Sequence, residues 1–315
     1  MKTIREICGH KKVNGLFGVE IEIESNQNFL DFDYSGMGFN YTHDDSLRGR
    51  YTGELVFNKP KTLNQSKKCL SVLQEFFEEH SILIEDHGRS GTHIHVNVND
   101  LTPAQVIMFS FYWYIVEDIL IKWSGPSRQN NMFAVPFSIS NEISHPIEQL
   151  ANYAKLGELS ANHFSYLFPI DSYKYSGLNW CRLYDLGTLE TRIWGPSNFD
   201  QTSKALDILY NIKQLALEGE DLLGISERYS MQSTEEFLGL VFGEHLSQIL
   251  HDTGIAKPML SSMVRDAFWR IQMCLRTCVR NLQPRGKKKY SKKPMYILTD
   301  EPDLDPLVQE FRLGG

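Results

Sequence analysis

The sequence predicts an α+β fold, with a mainly antiparallel sheet that has one open, concave face and helices packed on the other face. Three observations support this prediction. Three short segments carry ionisable or polar residues at every second position, which is the period of a β-strand. Helical patterns and a hairpin separate these segments, without the regular strand–helix alternation of a parallel sheet. Helical periodicity dominates after residue 199, so the C-terminal region should be helical.

The composition is typical of a globular protein of one large domain or two small ones. The 315 residues are 42% hydrophobic and 23% charged, and the net charge of -7 argues against a general nucleic-acid binder. Five cysteines lack the paired spacing of secreted proteins, and the first residues lack the apolar run of a signal peptide, so we expect a cytoplasmic protein with reduced thiols. The most apolar segment, Val106 to Trp123, contains Glu117 and Asp118 and should be a core helix rather than a membrane span.

The N-terminal half contains several strand and helix signals. The first predicted strand includes Glu20 to Glu24, and a loop follows around Asp44-Asp45-Ser46. Two more strands are predicted at Gly53–Phe57 and Ile82–Glu85, on either side of an amphipathic helix from Leu63 to His80. The turn Gly88-Arg89-Ser90-Gly91 introduces a strand with His93 and His95, and Thr102-Pro103 begins the long apolar helix.

The second half begins with a loop-rich region, residues 124–157. A hairpin is then expected, with strands Leu178–Tyr184 and Thr188–Trp194 joined at Asp185-Leu186-Gly187. Helical periods follow at Phe199–Glu218, Thr234–His251 and Lys257–Leu282. Six basic residues lie between Arg285 and Lys293 and five acidic ones between Asp300 and Glu310, so residues 284–315 read as a charged flexible tail. This tail, which ends in Gly314-Gly315, is a possible docking segment for a protein partner.

The acidic face of the first strand is the first candidate site. Glu20, Glu22 and Glu24 share one face and repel one another unless a cation or full solvation compensates them. A solvated edge strand is the alternative interpretation, since alternating acids are common on half-buried strands. The His93 and His95 pair favours a site, because carboxylates and imidazoles together suit Mg²⁺ or Mn²⁺. Residues on the same predicted face complete the candidate ligand set: Glu20, Glu22, Glu54, His93, His95, Glu190.

Arg192 follows Glu190 on the same strand face. A guanidinium beside a metal-binding carboxylate could hold a phosphate that also touches the ion. A Glu–Arg pair on a strand surface is equally compatible with this spacing. The residues alone leave both interpretations open.

Several motifs, taken in order, resemble the amidoligases of the carboxylate-amine ligase superfamily, which includes glutamine synthetase and glutamate-cysteine ligase. The resemblance covers about residues 14 to 217. The motifs that carry it are Gly18-Val19-Glu20-Ile21-Glu22, Asp45-Ser46-Leu47 before Gly53-Glu54-Leu55-Val56, Gly91-Thr92-His93-Ile94-His95, Ser127-Arg128 with Asn131, Asn179, and Thr188-Leu189-Glu190-Thr191-Arg192. One position departs from the pattern, since the family often has an arginine–tyrosine pair where this chain has Lys174-Tyr175.

The resemblance implies an ATP- and Mg²⁺-dependent ligase that joins a carboxylate to an amine through an acyl phosphate. It implies that Glu20, Glu22, Glu54, His93 and Glu190 hold two or more Mg²⁺ ions. The phosphate contacts would come from His95 and Arg192, with Arg128 on a phosphate or the substrate carboxylate and Arg182 as a substitute for the missing arginine. The catalytic residues would be Arg192 and a base, for which Glu24, Asp44 and Asp45 are the candidates. The domain limits would be 14–217 for the catalytic domain and 218–283 for a helical region packed on it.

Two other functions remain open on the sequence. A non-catalytic binding or assembly protein could keep the same fold, although it would have no reason to keep five costly ligands. A metal-dependent hydrolase could use the same acids and histidines to activate water, although it would leave Arg192 without a purpose. The partners expected for a ligase are a small-molecule or peptide carboxylate and an amine, with neither membrane nor nucleic acid.

Overall fold

One antiparallel sheet of six strands is the centre of the fold. The computed structural model describes residues 1–140, 142–219 and 222–275. The strands are β1 (Phe17–Ser25), β2 (Phe39–Thr42), β3 (Tyr51–Phe57), β4 (Thr92–Asn97), β5 (Leu178–Asn179) and β6 (Thr188–Trp194). Their order across the sheet is β2-β3-β1-β4-β6-β5, and every neighbouring pair is antiparallel. The predicted α+β class with a mainly antiparallel sheet is therefore confirmed.

Helices of the described residues lie on one face of this sheet and in the C-terminal region. Their bounds are α1 (Ile4–Cys8), α2 (Leu63–Glu79), α3 (Pro103–Trp123), α4 (Ser144–Leu156), α5 (Ala161–Leu167), α6 (Ile170–Tyr173), α7 (Phe199–Glu218), α8 (Leu222–Met231), α9 (Thr234–Phe242), α10 (Leu246–Thr253) and α11 (Lys257–Cys274). Short 3-10 helices occupy Ser35–Met37, Pro126–Arg128, Cys181–Leu183 and Gly243–His245. Helices α9, α10 and α11 pack with α3 and α7, so this region joins the same folded unit.

Alternation along the strands divides the sheet into two chemically different faces. Ile21, Ile23, Leu55 and Ile94 are fully buried on the face covered by α2, α3 and α7. The glutamates and histidines between them point to the other face. Burial of the apolar set fixes the register, because a shift by one residue would exchange the two faces.

The long apolar helix α3 is a core helix. Thr102 caps its first turn in a capping box with Gln105, and Pro103 occupies the first helical position, as predicted. Among the described residues it is long and apolar enough to cross a membrane, but 83% of its most apolar window is buried inside the protein. Its packing partners account for its hydrophobicity.

Most predicted elements were found close to their predicted bounds, with five corrections. Residues 82–85 contain no strand, and β2 (Phe39–Thr42) is a strand that was not predicted. Helix α4 lies in the region expected to be loop. The expected hairpin strand Leu178–Tyr184 is reduced to two residues followed by a 3-10 helix, because Trp180 and Leu183 turn into the core. The helix predicted at Thr234–His251 is interrupted at Gly243, whose φ of +56° breaks the helix.

The predicted domain limits stay predictions. The tail 284–315, its charge runs and its Gly-Gly end lie outside the described residues.

Candidate metal and anion site

Strand register brings the predicted ligands together on the polar face. Directly opposite residues of antiparallel neighbours share a face, and their Cβ atoms are close. The opposed pairs across four strands are Glu22 with Glu54, Glu20 with His93, and His95 with Glu190. The five predicted metal ligands and His95 thus form one cluster, although they come from four separate segments of the chain.

His93 lies at the centre of this cluster. Its Nδ1 atom is 3.5 Å from Glu20 Oε2 and 3.6 Å from Glu190 Oε1, and its Nε2 atom is 3.6 Å from Glu22 Oε1. The ring is almost completely buried. Glu22 also accepts a 2.8 Å hydrogen bond from the backbone N–H of Gly91, which fixes it beside the turn before β4.

His95 has one ring nitrogen without a well-formed hydrogen bond. Nδ1 lies 3.1 Å from the hydroxyl of Thr188, which orients the ring. Nε2 is buried 3.1 Å from Glu20 Oε1, but the two atoms are not aligned for a hydrogen bond. Burial lowers the pKa of His95, but the carboxylates of Glu20 and Glu190 outweigh it, so the pKa lies above its ordinary value.

The carboxylates of the cluster differ in pKa. Burial would raise the pKa of Glu20, but interactions with His93 and His95 hold it well below the ordinary value. Burial likewise opposes ionisation of Glu190, yet the charges of His95, His93 and Arg192 lower its pKa. At Glu54 burial and the negative charge of Glu20 raise the pKa to about 7. Glu54 is therefore the carboxyl group whose proton a divalent cation would displace near neutral pH.

The donor atoms form two sets suited to a divalent cation. One set contains Glu20, His95 and Glu190, the other Glu20, Glu54 and His93, and one ligand atom from each residue of a set lies within 4.8 Å of the others. Opposite ligands of an ion with bonds of about 2.1 Å are separated by about 4.2 Å, so little movement would close either set. The carboxylate oxygens suit Mg²⁺ or Mn²⁺, and Glu20 would serve both sets.

Glu190 is the most tightly supported carboxylate of the cluster. Asn179 on β5 donates a 2.7 Å hydrogen bond to Oε2, and Arg192 Nη1 forms a short ion pair with Oε1. Asn179 is held in turn by the N–H of Cys181, which donates to its side-chain oxygen. The Nε atom of Arg192 is buried without an acceptor among the described residues. One donor of this guanidinium is thus available to a ligand.

A cavity of about 90 Å³ adjoins the cluster. Glu22 and His93 contribute to its wall from the metal side, and Ser46 from the β2–β3 loop. The remaining wall consists of three arginines and two aromatic rings: Arg89, Arg128, Arg192, Phe133, Tyr175. Carboxylates on one side and guanidiniums on the other suit a ligand that combines an anionic group with a metal-binding oxygen.

Arg128 lies in this wall, but its donors are largely used by the protein. Its Nε, Nη1 and Nη2 atoms donate to the backbone carbonyls of Ile193, Ser90 and Arg192 at 3.3, 2.9 and 2.8 Å. The side chain is only 2% exposed. Arg128 therefore joins the start of β4 to the end of β6, and three of its five N–H groups are not free for a phosphate.

Three other predicted site residues lie apart from the cluster. Glu24 is buried and its Oε1 accepts the N–H of Arg48 at 2.7 Å. The side chain of Asp45 is 98% exposed and contacts His43 at 2.9 Å. Arg182 pairs with Asp185 at 3.1 Å near the surface, although its charge lowers the pKa of His95. Among the candidate bases only Asp44 acts on the cluster, where its charge helps to raise the pKa of Glu54.

Sequence reasoning missed Arg89 and the aromatic wall. Arg89 stands in the turn before β4, and its position beside the histidine strand was the one signal that could have indicated it. Phe133 and Tyr175 lie 42 residues apart and meet edge to face, with ring centroids 5.5 Å apart. The sequence carries no local signal for that contact.

No protein-family model matches this chain, and no curated protein matches its sequence.

Proposed function

We propose that this protein is an ATP- and Mg²⁺-dependent carboxylate-amine ligase, which forms an amide or isopeptide bond through an acyl phosphate. One observation carries the proposal: two donor sets that share Glu20 adjoin a cavity lined by guanidiniums. A phosphoryl group in transfer carries negative charge on several oxygens and requires positive charge from more than one direction. The motifs that resemble those of amidoligases give this arrangement its reaction class.

The chain would supply positioning and electrostatic stabilisation. Glu20, Glu22, Glu54, His93 and Glu190 would hold Mg²⁺ or Mn²⁺, which when bound neutralises charge on the phosphoryl oxygens. Arg192 would donate to the same group from the cavity side through Nε, while its Nη1 stays on Glu190. The buried Nε2 of His95 lies next to both carboxylates of its set, where it would bind either an ion or a phosphate oxygen.

The attacking amine must lose a proton during the reaction. Glu24 is occupied by the Arg48 N–H and Asp45 is turned to solvent. The carboxylate and amine substrates would be small molecules or peptides. A cytoplasmic location is part of the proposal, and Cys8, Cys69 and Cys181 are free thiols.

The decisive experiment measures ADP and phosphate release from ATP with Mg²⁺ in the presence of mixed amino acids, polyamines and peptides. Glu190→Gln removes one ligand charge while keeping side-chain shape, and we expect a loss of amine-stimulated ADP release of about 100-fold or more. Glu79→Gln, on the exposed side of α2, is the matched control and should keep full activity. A new amide product in the mass spectrum should accompany turnover.

Two other outcomes of this experiment would favour a different function. Release of phosphate without dependence on any amine would favour hydrolysis. Binding of Mg²⁺ without binding of ATP would favour a non-catalytic role. Either result would overturn the ligase proposal.

A further inference from the structure

Arg89 is a cationic side chain in the cavity wall that the metal and phosphate assignments do not use. It is exposed, lines the cavity, and has no hydrogen bond or ion pair with another residue in the described ranges. The nearest available carboxylate in that wall, Glu22, is engaged by the Gly91 N–H and lies 3.6 Å from His93. The N–H donors of its guanidinium are therefore not used by the described residues and can be donated to a ligand in the cavity.

The other two guanidiniums of the cavity leave room for this role. Three N–H groups of Arg128 donate to backbone carbonyls, and Nη1 of Arg192 donates to Glu190. The Nε of Arg192 is buried without an acceptor, so the same cavity contains two arginines with unused donors. Paired guanidiniums bind carboxylate and phosphate oxygens more tightly than single ones because each donates charge-assisted hydrogen bonds.

The turn that carries Arg89 is held rigidly. Asn131 donates from its side-chain amide to the carbonyl of Gly88, and the N–H of Gly88 donates to Asp86 at 3.0 Å. Asp86 also accepts the Ser127 hydroxyl at 2.7 Å, which joins the turn to the 3-10 helix Pro126–Arg128. Gly88 has a φ of +74°, a conformation that favours glycine. The backbone of this turn is therefore ordered before a ligand binds, and only the Arg89 side chain would lose conformational freedom on binding.

We propose that Arg89, together with Arg192, binds an oxyanion in this cavity. The chemistry is that of a carboxylate or phosphate oxygen, and the anion is either a phosphate of the nucleotide or a carboxylate of the acid substrate. The edge-to-face rings of Phe133 and Tyr175 add an apolar wall, which suits a carbon skeleton next to a carboxylate. The identity of the anion rests on the proposed ligase function, whereas anion binding itself does not.

The test compares Arg89→Gln and Arg89→Lys with wild type by ligand-detected NMR in the presence of Mg²⁺. The probes are inorganic phosphate, ATP, and a mixture of mono- and dicarboxylic acids, none of which requires turnover. Arg50→Gln is the control, since Arg50 is exposed and outside the cavity wall. We expect Arg89→Gln to weaken one class of probe by about tenfold or more, Arg89→Lys to retain part of the affinity, and Arg50→Gln to change nothing.

The probes separate the two sources of the anion. Weaker binding of phosphate and ATP alone would make Arg89 a nucleotide contact, and weaker binding of the acids alone would make it a contact to the acid substrate. Equal binding of every probe by wild type and Arg89→Gln, or no binding of either class by wild type, would overturn the proposal. Lack of turnover together with Arg89-dependent anion binding would reject the ligase function and keep the anion site.

Discussion

At the scale of single residues, the hydrogen bonds of Arg128 indicate a structural role rather than the predicted role in ligand binding. Three carbonyl oxygens of Ser90, Arg192 and Ile193 depend on its guanidinium. A lysine keeps the charge but has one nitrogen and cannot reach all three carbonyls. We expect Arg128→Lys to lower the free energy of unfolding by about 2–4 kcal/mol, because buried carbonyls would lose their donors. Urea denaturation followed by circular dichroism measures this loss.

The control for that substitution is Arg182→Lys. Arg182 is 38% exposed in a surface pair with Asp185, so its replacement should change stability by no more than about 0.5 kcal/mol. An Arg128→Lys protein as stable as wild type, with weaker anion binding, would contradict the structural role and restore the predicted ligand contact.

Strand period predicted which carboxylates and histidines share one face of the sheet, but it could not rank the arginines. Alternation places Glu20, Glu22 and Glu24 on one face, yet it does not show that Glu24 is withdrawn beneath the following loop. Whether the N–H donors of an arginine bind the protein or a ligand depends on which backbone carbonyls lie near its guanidinium. For Arg128 these carbonyls lie 38, 64 and 65 residues away, so no local pattern could reveal them.

At the scale of elements, Glu117 joins helix α3 to the segment that carries the aromatic wall. Its Oε1 accepts Trp113 Nε1 at 2.8 Å within the helix, and its Oε2 accepts the N–H of Phe137 at 2.7 Å. Val135 bridges in turn to the chain at Tyr175, which precedes β5. One buried carboxyl therefore positions both sides of the cavity entrance through backbone contacts.

Burial raises the pKa of Glu117 to about 8, and this shift links stability to pH. Because the folded pKa lies above the unfolded value near 4.5, the folded state binds the proton more tightly. The associated stability is fully present below pH 4.5 and is lost as the pH rises towards 8, by roughly 3–5 kcal/mol in total. Glu117→Gln should flatten this part of the pH dependence, because the amide does not ionise. Urea midpoints between pH 5 and 9 test it.

The control is Glu79→Gln, at an exposed position, which should leave the slope unchanged. The glutamine offers only one acceptor to two N–H groups, so the variant should be less stable than wild type at low pH. The informative quantity is the difference in the free energy of unfolding between wild type and Glu117→Gln as the pH rises. Parallel curves for wild type and Glu117→Gln would show that Glu117 does not titrate in this range.

Elements with strong local signals were predicted well, and elements that depend on tertiary contacts were not. Thr62 and Thr102 begin α2 and α3 through capping boxes that are legible in the sequence. Helix α4 begins at Ser144 after Ile143, which provides no side-chain cap. Its position is instead fixed by burial of Ile147 and Leu150 against neighbouring helices. Strand β2 is short and exposed, and its pairing with β3 defines it.

At the scale of the whole molecule, the polar face of the sheet concentrates carboxylates whose charge a divalent cation would neutralise. Four carboxylates lie around two histidines, and burial together with the negative charge of Glu20 raises the pKa of Glu54 to about 7. A divalent cation that binds only the folded state stabilises it by about 2.7 kcal/mol at a concentration 100 times its Kd. Mg²⁺ or Mn²⁺ should therefore raise the Tm by about 5 °C.

The variant Glu54→Gln tests whether the charge of this carboxylate lowers stability without metal and contributes to cation binding. Removing the most strained carboxylate should raise the Tm without added metal, because less negative charge is crowded on the face, and should reduce the shift that Mg²⁺ produces. In wild type the shift should be smaller at pH 6 than at pH 8, since protonated Glu54 cannot ligate and its pKa lies near 7. Thermal melts at both pH values, with NaCl at equal ionic strength, separate binding from screening. A full Mg²⁺ shift in Glu54→Gln, or equal shifts at both pH values, would place the cation elsewhere.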